Sequence, residues 1–317
     1  MINVLITGGA GFIGSCFART AALEKADWNC VVLDKLTYAG SETNLEPVSD
    51  KVTFVKGDIA DTDLLNRLFQ KYEFRVVVNF AAETHVDRSI KNPEAFITND
   101  IIGAYRLLEV CKSYDLDQFV QISTDEVYGE VLEGFSVETD PLMPRNPYSA
   151  SKCASDRLAF SYFATYDLPV VISRCSNNYG PYQHPEKLIP LFVTRLMEGK
   201  KVPLYGDGMN IRDWLYVEDH VRAIFCLIDK AEIGEVYNIS ANEEHVNKEI
   251  THMILEEMSL GLERIEYVED RVGHDRRYSM NSQKIRDLGW KPRYSFQESF
   301  SKTVQWYRQN ESWWKSL

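Results

Sequence analysis

The chain has 317 residues, 44% of them hydrophobic and 26% charged, values ordinary for a folded globular protein and contrary to disordered or fibrous classes. Its formal charge of −12 argues against nucleic acid or an anionic membrane surface as a partner. No apolar run approaches the roughly 18 residues of a membrane helix, and at about 150 residues per domain the length predicts two domains.

The N-terminus enters structure at once. INVLIT reads as a strand with no basic leader before it, so no signal or transit peptide is expected. A helix follows Gly14, and CVVLD is the second strand. VTFVKGD, RVVVNFA, QFVQIST and LPVVISR supply four more. Helical spacing over residues 63–72 and 94–114 separates them, with apolar residues at Phe96, Ile97, Ile101, Leu107, Leu108 and Val110 in the second stretch. Strands alternating with helices imply a doubly wound parallel α/β sheet of the Rossmann type. The near-continuous Val, Ile and Leu of these runs suits strands buried on both faces. Another helix is predicted over 147–165.

Beyond about residue 175 the rhythm breaks, and prolines and glycines cluster in NNYGPYQHPEKLIP and VPLYGDG. WLYVEDHVRAIFCLIDKA returns to helical spacing, EVYNIS reads as a strand, and helices are predicted over 248–258, 282–288 and 296–308. A second, smaller α/β unit is therefore expected. The division places residues 1–175 and 211–240 in the nucleotide-binding unit and 176–210 and 241–317 in the other.

Cys16, Cys30, Cys111, Cys153, Cys175 and Cys226 form no CxxC, so buried thiols in a reducing cytoplasm are the simplest reading. The histidines show no HExxH or HxH spacing, and a metal site has no sequence support.

Three motifs carry chemistry. The first strand runs into Gly8-Gly9-Ala10-Gly11-Phe12-Ile13-Gly14. Such glycines permit a tight turn and let a pyrophosphate approach the first amides of the next helix. Asp34 closes the second strand, about 20 residues further on, where a carboxylate accepts hydrogen bonds from an adenosine ribose. That carboxylate would repel a 2′-phosphate and favour NAD over NADP, although Lys35 beside it leaves the choice open. Tyr148 and Lys152 stand at i and i+4, on one helix face. An ammonium beside a phenol favours the phenolate, which can take a proton from a hydroxyl undergoing oxidation. Ser123-Thr124-Asp125-Glu126 ends a predicted strand, the place where open α/β sheets bind ligands. Adjacent carboxylates point to opposite faces of a regular strand, so for both to serve one substrate the chain must already have left strand geometry. Side by side they repel, raising one pKa and setting an acid next to a base. Each motif alone has an ordinary structural explanation. Together they complete one mechanism.

The glycine turn and YxxxK pair are similar to those of the extended short-chain dehydrogenase/reductases. The chain resembles dTDP-glucose 4,6-dehydratases over essentially its full length, in TGGAGFIG, LDKLTYAG, FAAETHVDRSI, STDEVYGE, PYSASK, RCSNNYGPYQHPEKLIP, YGDGMNIRDWLYVEDH and DRVGHDRRY. Sugar 4-epimerases share the glycine turn and YxxxK, but carry small or hydroxyl residues in place of Asp125 and Glu126. The resemblance implies a lyase in which Tyr148, supported by Lys152 and Thr124, oxidises the sugar at C4 with NAD. Glu126 then removes the C5 proton while Asp125 protonates the departing C6 hydroxyl.

It further implies NAD contacts from Gly8, Gly11, Phe12, Ile13, Gly14, Asp34, Lys35, Asp58, Ile59, Phe80, Ala81, Ala82, Asn99, Ser123, Tyr148, Lys152 and Asn178. Contacts to a nucleotide-sugar substrate would come from Thr84, Asn177, Glu186, Lys187, Leu188, Pro203, Tyr205, Arg212, Asn247, Arg271 and His274, and guanidinium forks suit the diphosphate. Two positions depart from the family: Asp100 replaces a common Asn, and His184 a common aromatic residue. UDP-glucose or UDP-GlcNAc remains an alternative substrate, and 4-epimerisation a further one. A homodimer is expected through helices 94–114 and 147–165, with Phe160 and Phe163 available to the interface or to the core.

Overall fold

The computed structural model describes residues 1–271 and 273–317. Its strands, in chain order, are β1 (Ile2–Thr7), β2 (Trp28–Asp34), β3 (Val52–Lys56), β4 (Val76–Asn79), β5 (Gln118–Thr124), β6 (Val170–Cys175), β7 (Asn177–Tyr179), β8 (Val202–Tyr205), β9 (Ile211–Tyr216), β10 (Val236–Ile239), β11 (Glu244–Val246) and β12 (Ile265–Val268). The main sheet has seven strands in the order β10-β6-β5-β4-β1-β2-β3, and every pairing in it is parallel. The doubly wound class read from the sequence is borne out. β1 pairs with β2 on one side and β4 on the other, so strand order reverses there and opens a crevice at the carboxyl ends.

Alternation along the strands divides the apolar core between the two faces. Leu5 and Val77 join Phe69, Leu107 and Tyr162 on one face; Val4, Ile6 and Val78 join Phe17, Ile224 and Phe225 on the other. A separate cluster, built around Val193, Ile254, Phe300 and Tyr307, forms the centre of the C-terminal part.

β9 lies between these cores. It pairs with β7 in parallel and β11 in antiparallel fashion, outside the seven-stranded sheet. Trp214 and Tyr216 enter the C-terminal cluster, whereas Leu215 packs with Val171, Ala223 and Ile239 beneath the main sheet. The stretch from Trp214 read as helical from the sequence thus begins as a strand shared by both cores, and its helix starts only at Val217. The remaining two strands, β8 and β12, form their own pair. Among the described residues no helix is long and apolar enough to cross a membrane.

One predicted helix differs in kind. The stretch read as continuous over 94–114 is a short helix Pro93–Phe96, a π-helical segment Ile97–Gly103 and an α-helix Ala104–Cys111. The wider π turn carries Asp100 inward, where it is 2% exposed. Its carboxylate accepts hydrogen bonds from Glu83 N at 2.7 Å and Ser151 Oγ at 2.7 Å. Single π turns of this sort recur at functional sites. The other helices agree with the reading to within a few residues: Thr62–Tyr72, Pro147–Tyr166, Val217–Lys230, Asn247–Glu257, Gln283–Asp287 and Phe296–Gln309.

Candidate active site

A single cavity follows the crevice. Every residue assigned above to NAD lines it, together with Thr124, Asp125, Glu126, Thr84, Asn177, Glu186 and Lys187.

At its floor β1 gives way to Gly8, whose φ is +65°. A Cβ there would lie 2.6 Å from Ala81 N, and one at Gly14 only 2.3 Å from Gly8 O. The sequence keeps glycine where backbone meets backbone. The helix Phe12–Glu24 begins at Gly11 with no side-chain cap and no acidic residue in its first turn. Its leading amides and the positive end of its dipole therefore carry neither a side-chain cap nor a first-turn acid. That cradle fits a dinucleotide pyrophosphate. Asp34, at the end of β2, accepts hydrogen bonds from Ala10 N at 2.9 Å and Leu36 N at 2.8 Å. Lys35 is paired with Asp58 at 2.6 Å, so its ammonium is already balanced by a carboxylate.

The catalytic candidates come from two elements. Thr124 is the last residue of β5, and the chain turns immediately into the 3₁₀ helix Asp125–Tyr128. Strand geometry is broken between the hydroxyl and the carboxylates, as their shared use of one substrate required. Thr124 Oγ1 donates to Asp125 Oδ1 at 3.0 Å and accepts from Glu126 N at 3.3 Å. Burial, then the charge of Glu126, pushes the Asp125 carboxyl up to about 8. Burial also raises Glu126, against the opposing pull of Arg212, a hydrogen bond from Asn146, and Lys187 and Arg271. One carboxyl of the pair is thus held as an acid near neutrality.

Tyr148 and Lys152 come from the helix Pro147–Tyr166. Pro147 occupies its first turn and Asn146 caps it, a start signal legible in the sequence. The expected lowering of the phenol by Lys152 is not what the geometry gives. Burial, followed by the charge of Glu126, raises Tyr148 well above 10, while its hydrogen bond with Thr124 acts the other way. Lys152 Nζ is engaged elsewhere, donating to Ile122 O at 2.7 Å. Burial lowers its pKa, and the Asp100 carboxylate counters that. Desolvation, invisible to a spacing argument, dominates both groups.

The remaining substrate candidates separate. Lys187 Nζ donates to Thr84 O, while Glu186 accepts from Tyr38 Oη at 2.9 Å and faces Arg88 and His85 at 3.7 and 3.8 Å. Leu188, Pro203, Tyr205, Arg212, Asn247, Arg271 and His274 are outside the lining of this cavity. Four of them still converge beside it. Arg271 is ion-paired with Asp87 and stands 5.6 Å from the Tyr205 ring, which meets His274 edge-on. Arg212 donates to Asp275 O at 2.9 Å and lies over Tyr278 at 4.4 Å. Leu188 opens the helix Leu188–Met197 and packs against the C-terminal cluster, and Pro203 sits within β8.

Residues not singled out from the sequence also line the cavity: Tyr38, Glu83, Cys175, Ser176 and Gln183. His184 lines it too, its ring 5.5 Å from that of Tyr38, and burial with nearby Arg88 lowers its pKa to about 4.

A family model described as GDP-mannose 4,6 dehydratase matches residues 5–303. The chain is 46% identical over 323 residues to dTDP-glucose 4,6-dehydratase of Streptomyces niveus, a match spanning 100% of this chain and 96% of that one. The chain belongs to the dTDP-glucose 4,6-dehydratase family. Among family-level relatives it is also 49% identical over 308 residues to the low-salt glycan biosynthesis protein Agl12 of Haloferax volcanii, covering 96% and 98% of the two chains. DesIV, a dTDP-glucose 4,6-dehydratase of Streptomyces venezuelae crystallised with NAD bound, superposes with a TM-score of 0.97 at 45% identity over 99% of each chain. In this dehydratase family member the glycine cradle, the Tyr148 helix and the Asp125 turn open onto one space.

Proposed function

We propose that the chain is a lyase that dehydrates dTDP-glucose to dTDP-4-keto-6-deoxyglucose. The observation that carries this reading is the pair of buried Asp125 and half-buried Glu126, off the strand and in the same cavity as Tyr148, Lys152 and the glycine turn. Oxidation alone needs no such pair. The activity of the relatives supports the same conclusion.

Gly8, Gly11 and the amides of Phe12, Ile13 and Gly14 would hold the pyrophosphate of NAD, with Asp34 at the adenosine ribose. Phe80, Ala81, Ala82, Asn99, Ser123 and Asn178 would complete its site. Bound NAD supplies a hydride acceptor at C4 and returns that hydride at C6. Tyr148 takes the proton of the 4-hydroxyl and Thr124 hydrogen-bonds that oxygen, while Lys152, one turn further along the same helix, donates to Ile122 O. The new 4-ketone acidifies the C5 proton, which Glu126 removes and gives back to C5 when hydride adds at C6. Asp125, protonated below about 8, delivers its proton to the departing C6 hydroxyl. Arg212, Arg271 and His274 are assigned to the nucleotide diphosphate.

The test is incubation of the purified protein with a panel of dTDP-, UDP-, GDP- and CDP-sugars, followed by mass spectrometry. Loss of water from dTDP-glucose in preference to the others is expected. Preferential dehydration of UDP-glucose or UDP-GlcNAc would move the assignment to that substrate. Epimerised product without water loss would overturn it.

The protein is further assigned as a cytoplasmic homodimer. Exposed Ile97, Ile102, Tyr105 and Phe160 on the two expected helices support the dimer, whereas Phe163 packs against the core. A monomer mass by light scattering, or recovery outside the cytoplasm on fractionation, would count against these assignments. The cluster around Val4, Phe17 and Ile224 and that around Val193, Ile254 and Phe300 support the division into residues 1–175 with 211–240 and 176–210 with 241–317, with Trp214 and Tyr216 crossing into the second. Hydrogen exchange giving one common opening free energy for both clusters would reject it.

A further inference from the structure

The carboxylate read as the C5 base is held from one side. Glu126 Oε2 accepts a hydrogen bond from Asn146 Nδ2 at 3.3 Å and stands 3.4 Å from Tyr278 Oη. A phenol has one proton, and that of Tyr278 is directed to Asp275 Oδ2 at 2.6 Å. Asn146 Nδ2 has no other acceptor among the described residues. Glu126 lines the cavity that also holds Tyr148.

The same amide has a second duty. Asn146 caps the helix Pro147–Tyr166: its Oδ1 accepts from Ser149 N at 2.9 Å, and its backbone N–H donates to Ser149 Oγ at 3.2 Å. This fixes which end of the amide points where. Ser149 N–H requires the oxygen, so the NH₂ group must face Glu126.

We infer that Asn146 is a positioning residue for Glu126, a single side chain that fixes both the start of the helix carrying Tyr148 and Lys152 and the carboxylate that acts at C5. The inference rests on the proposed dehydratase reading and adds a residue to it. Through Asn146 the oxidation group and the elimination group share one support, so the base keeps its register relative to Tyr148 when the sugar is bound. An N–H donor on a carboxylate favours its charged form. Glu126 also faces Asp125 beside it, Arg212 from β9, Lys187 and Arg271 from neighbouring segments, and the phenols of Tyr148 and Tyr278. All of these stay in place when Asn146 is changed.

Two substitutions separate the duties. Asn146→Ser and Asn146→Asp both keep an N-cap acceptor, and Ser and Asp rank with Asn as caps. Both remove the N–H toward Glu126, and Asn146→Asp adds a like charge. The pH dependence of water loss from dTDP-glucose, the rate of NADH formation in a single turnover, and the melting temperature are measured on the intact protein. The acid limb of elimination should move to higher pH by roughly half a unit to one unit in Asn146→Ser, and further in Asn146→Asp. NADH formation and melting temperature should change little. An unmoved acid limb in both variants, or oxidation falling in step with elimination, overturns the inference. Failure of the unmodified protein to dehydrate dTDP-glucose would instead strike the proposed function, and that arm is read first.

Discussion

The carboxylate of Asp156 and the guanidinium of Arg174 meet inside the protein, Nε to Oδ2 at 2.9 Å and Nη2 to Oδ1 at 3.2 Å, with side-chain exposures of 0% and 1%. Asp156 lies one turn beyond Lys152 on the helix Pro147–Tyr166. Arg174 stands on β6 and also donates to Tyr128 Oη at 2.7 Å, in the turn that begins at Asp125. The pair thus ties the helix of Tyr148 and Lys152 to the turn of Asp125 and Glu126. Burial alone would raise Asp156, yet Arg174 holds it below the usual carboxylate range.

Removing one member of such a pair leaves a buried charge without a partner. Asp156→Asn should therefore destabilise the fold by about 3–5 kcal/mol in urea denaturation. Arg174→Met should cost less, because Asp156 keeps a second partner in Arg157 at 2.5 Å. The double variant should recover much of the loss, since two neutral groups bury more readily than one charge. A cost for Asp156→Asn no greater than that of a surface substitution would show that the pair is not a fixed point of the fold.

Asp100 gives a second stability prediction, of opposite sign. Burial pushes its carboxyl up to about 6, with Lys152, Ser151 and the Glu83 N–H opposing. The folded state then binds the proton more tightly than the unfolded chain, whose carboxyl titrates near 4. Stability is greatest below the unfolded value, declines as pH rises toward about 6, and is level above it. Asn at this position has no charge to bury and can still accept from Glu83 N. Ser151 Oγ already lies 2.8 Å from Tyr148 O and can turn its proton there. Asp100→Asn should gain about 2 kcal/mol over the unmodified chain at pH 8 and little at pH 4. Denaturation curves that keep a constant offset across this range would refute the assignment.

The same residue shows where the sequence stopped being informative. The apolar spacing of residues 94–114 is that of any helix, and it predicted one. The π segment depends on Asp100 reaching Glu83 and Ser151, contacts 17 and 51 residues away in the chain. No local pattern encodes them. The Thr124–Glu126 turn was legible for a converse reason: two carboxylates in a row at a strand end make sense only if the strand stops. Asn-Pro before the Tyr148 helix is a cap signal that went unread, and the use of that cap's free N–H on Glu126 has no local signature at all. The alternation in β9, with Leu215 facing one core and Trp214 and Tyr216 another, needs two packed units to be seen. The balance between Lys152 and burial at Tyr148 is likewise set by tertiary structure.

Asp125 sets the alkaline side of the reaction. Its acid form donates to the C6 hydroxyl, and its carboxyl titrates at about 8. Elimination should be supported below that pH and fall as pH rises through it. Asp125→Asn keeps the hydrogen bond with Thr124 but cannot give up a proton. It should lose about 10²–10⁴-fold in water elimination and with it the alkaline limb, while C4 oxidation persists. A pH profile of water loss by mass spectrometry measures both. An alkaline limb that survives unchanged in Asp125→Asn would assign it to another group.

Glu126→Gln separates elimination from redox chemistry. Oxidation at C4 requires Tyr148, Lys152 and the bound cofactor, but no carboxylate base. Elimination requires a base at C5, and only once the ketone exists to stabilise the carbanion. Gln preserves the length of Glu126, and its carbonyl can accept the hydrogen bond that Asn146 Nδ2 gives at 3.3 Å. What it removes is basicity. The variant should bind dTDP-glucose and form NADH in stopped-flow absorbance, yet lose about 10²–10⁴-fold in dehydration. Deuterium uptake at C5 from heavy water should fall with it, because exchange there requires the same proton abstraction. The two readouts fail together only if Glu126 is the base. Dehydration at a near-native rate would remove it from that role, and with it the observation on which the dehydratase reading chiefly stands. Loss of NADH formation as well would place Glu126 in the oxidation step instead.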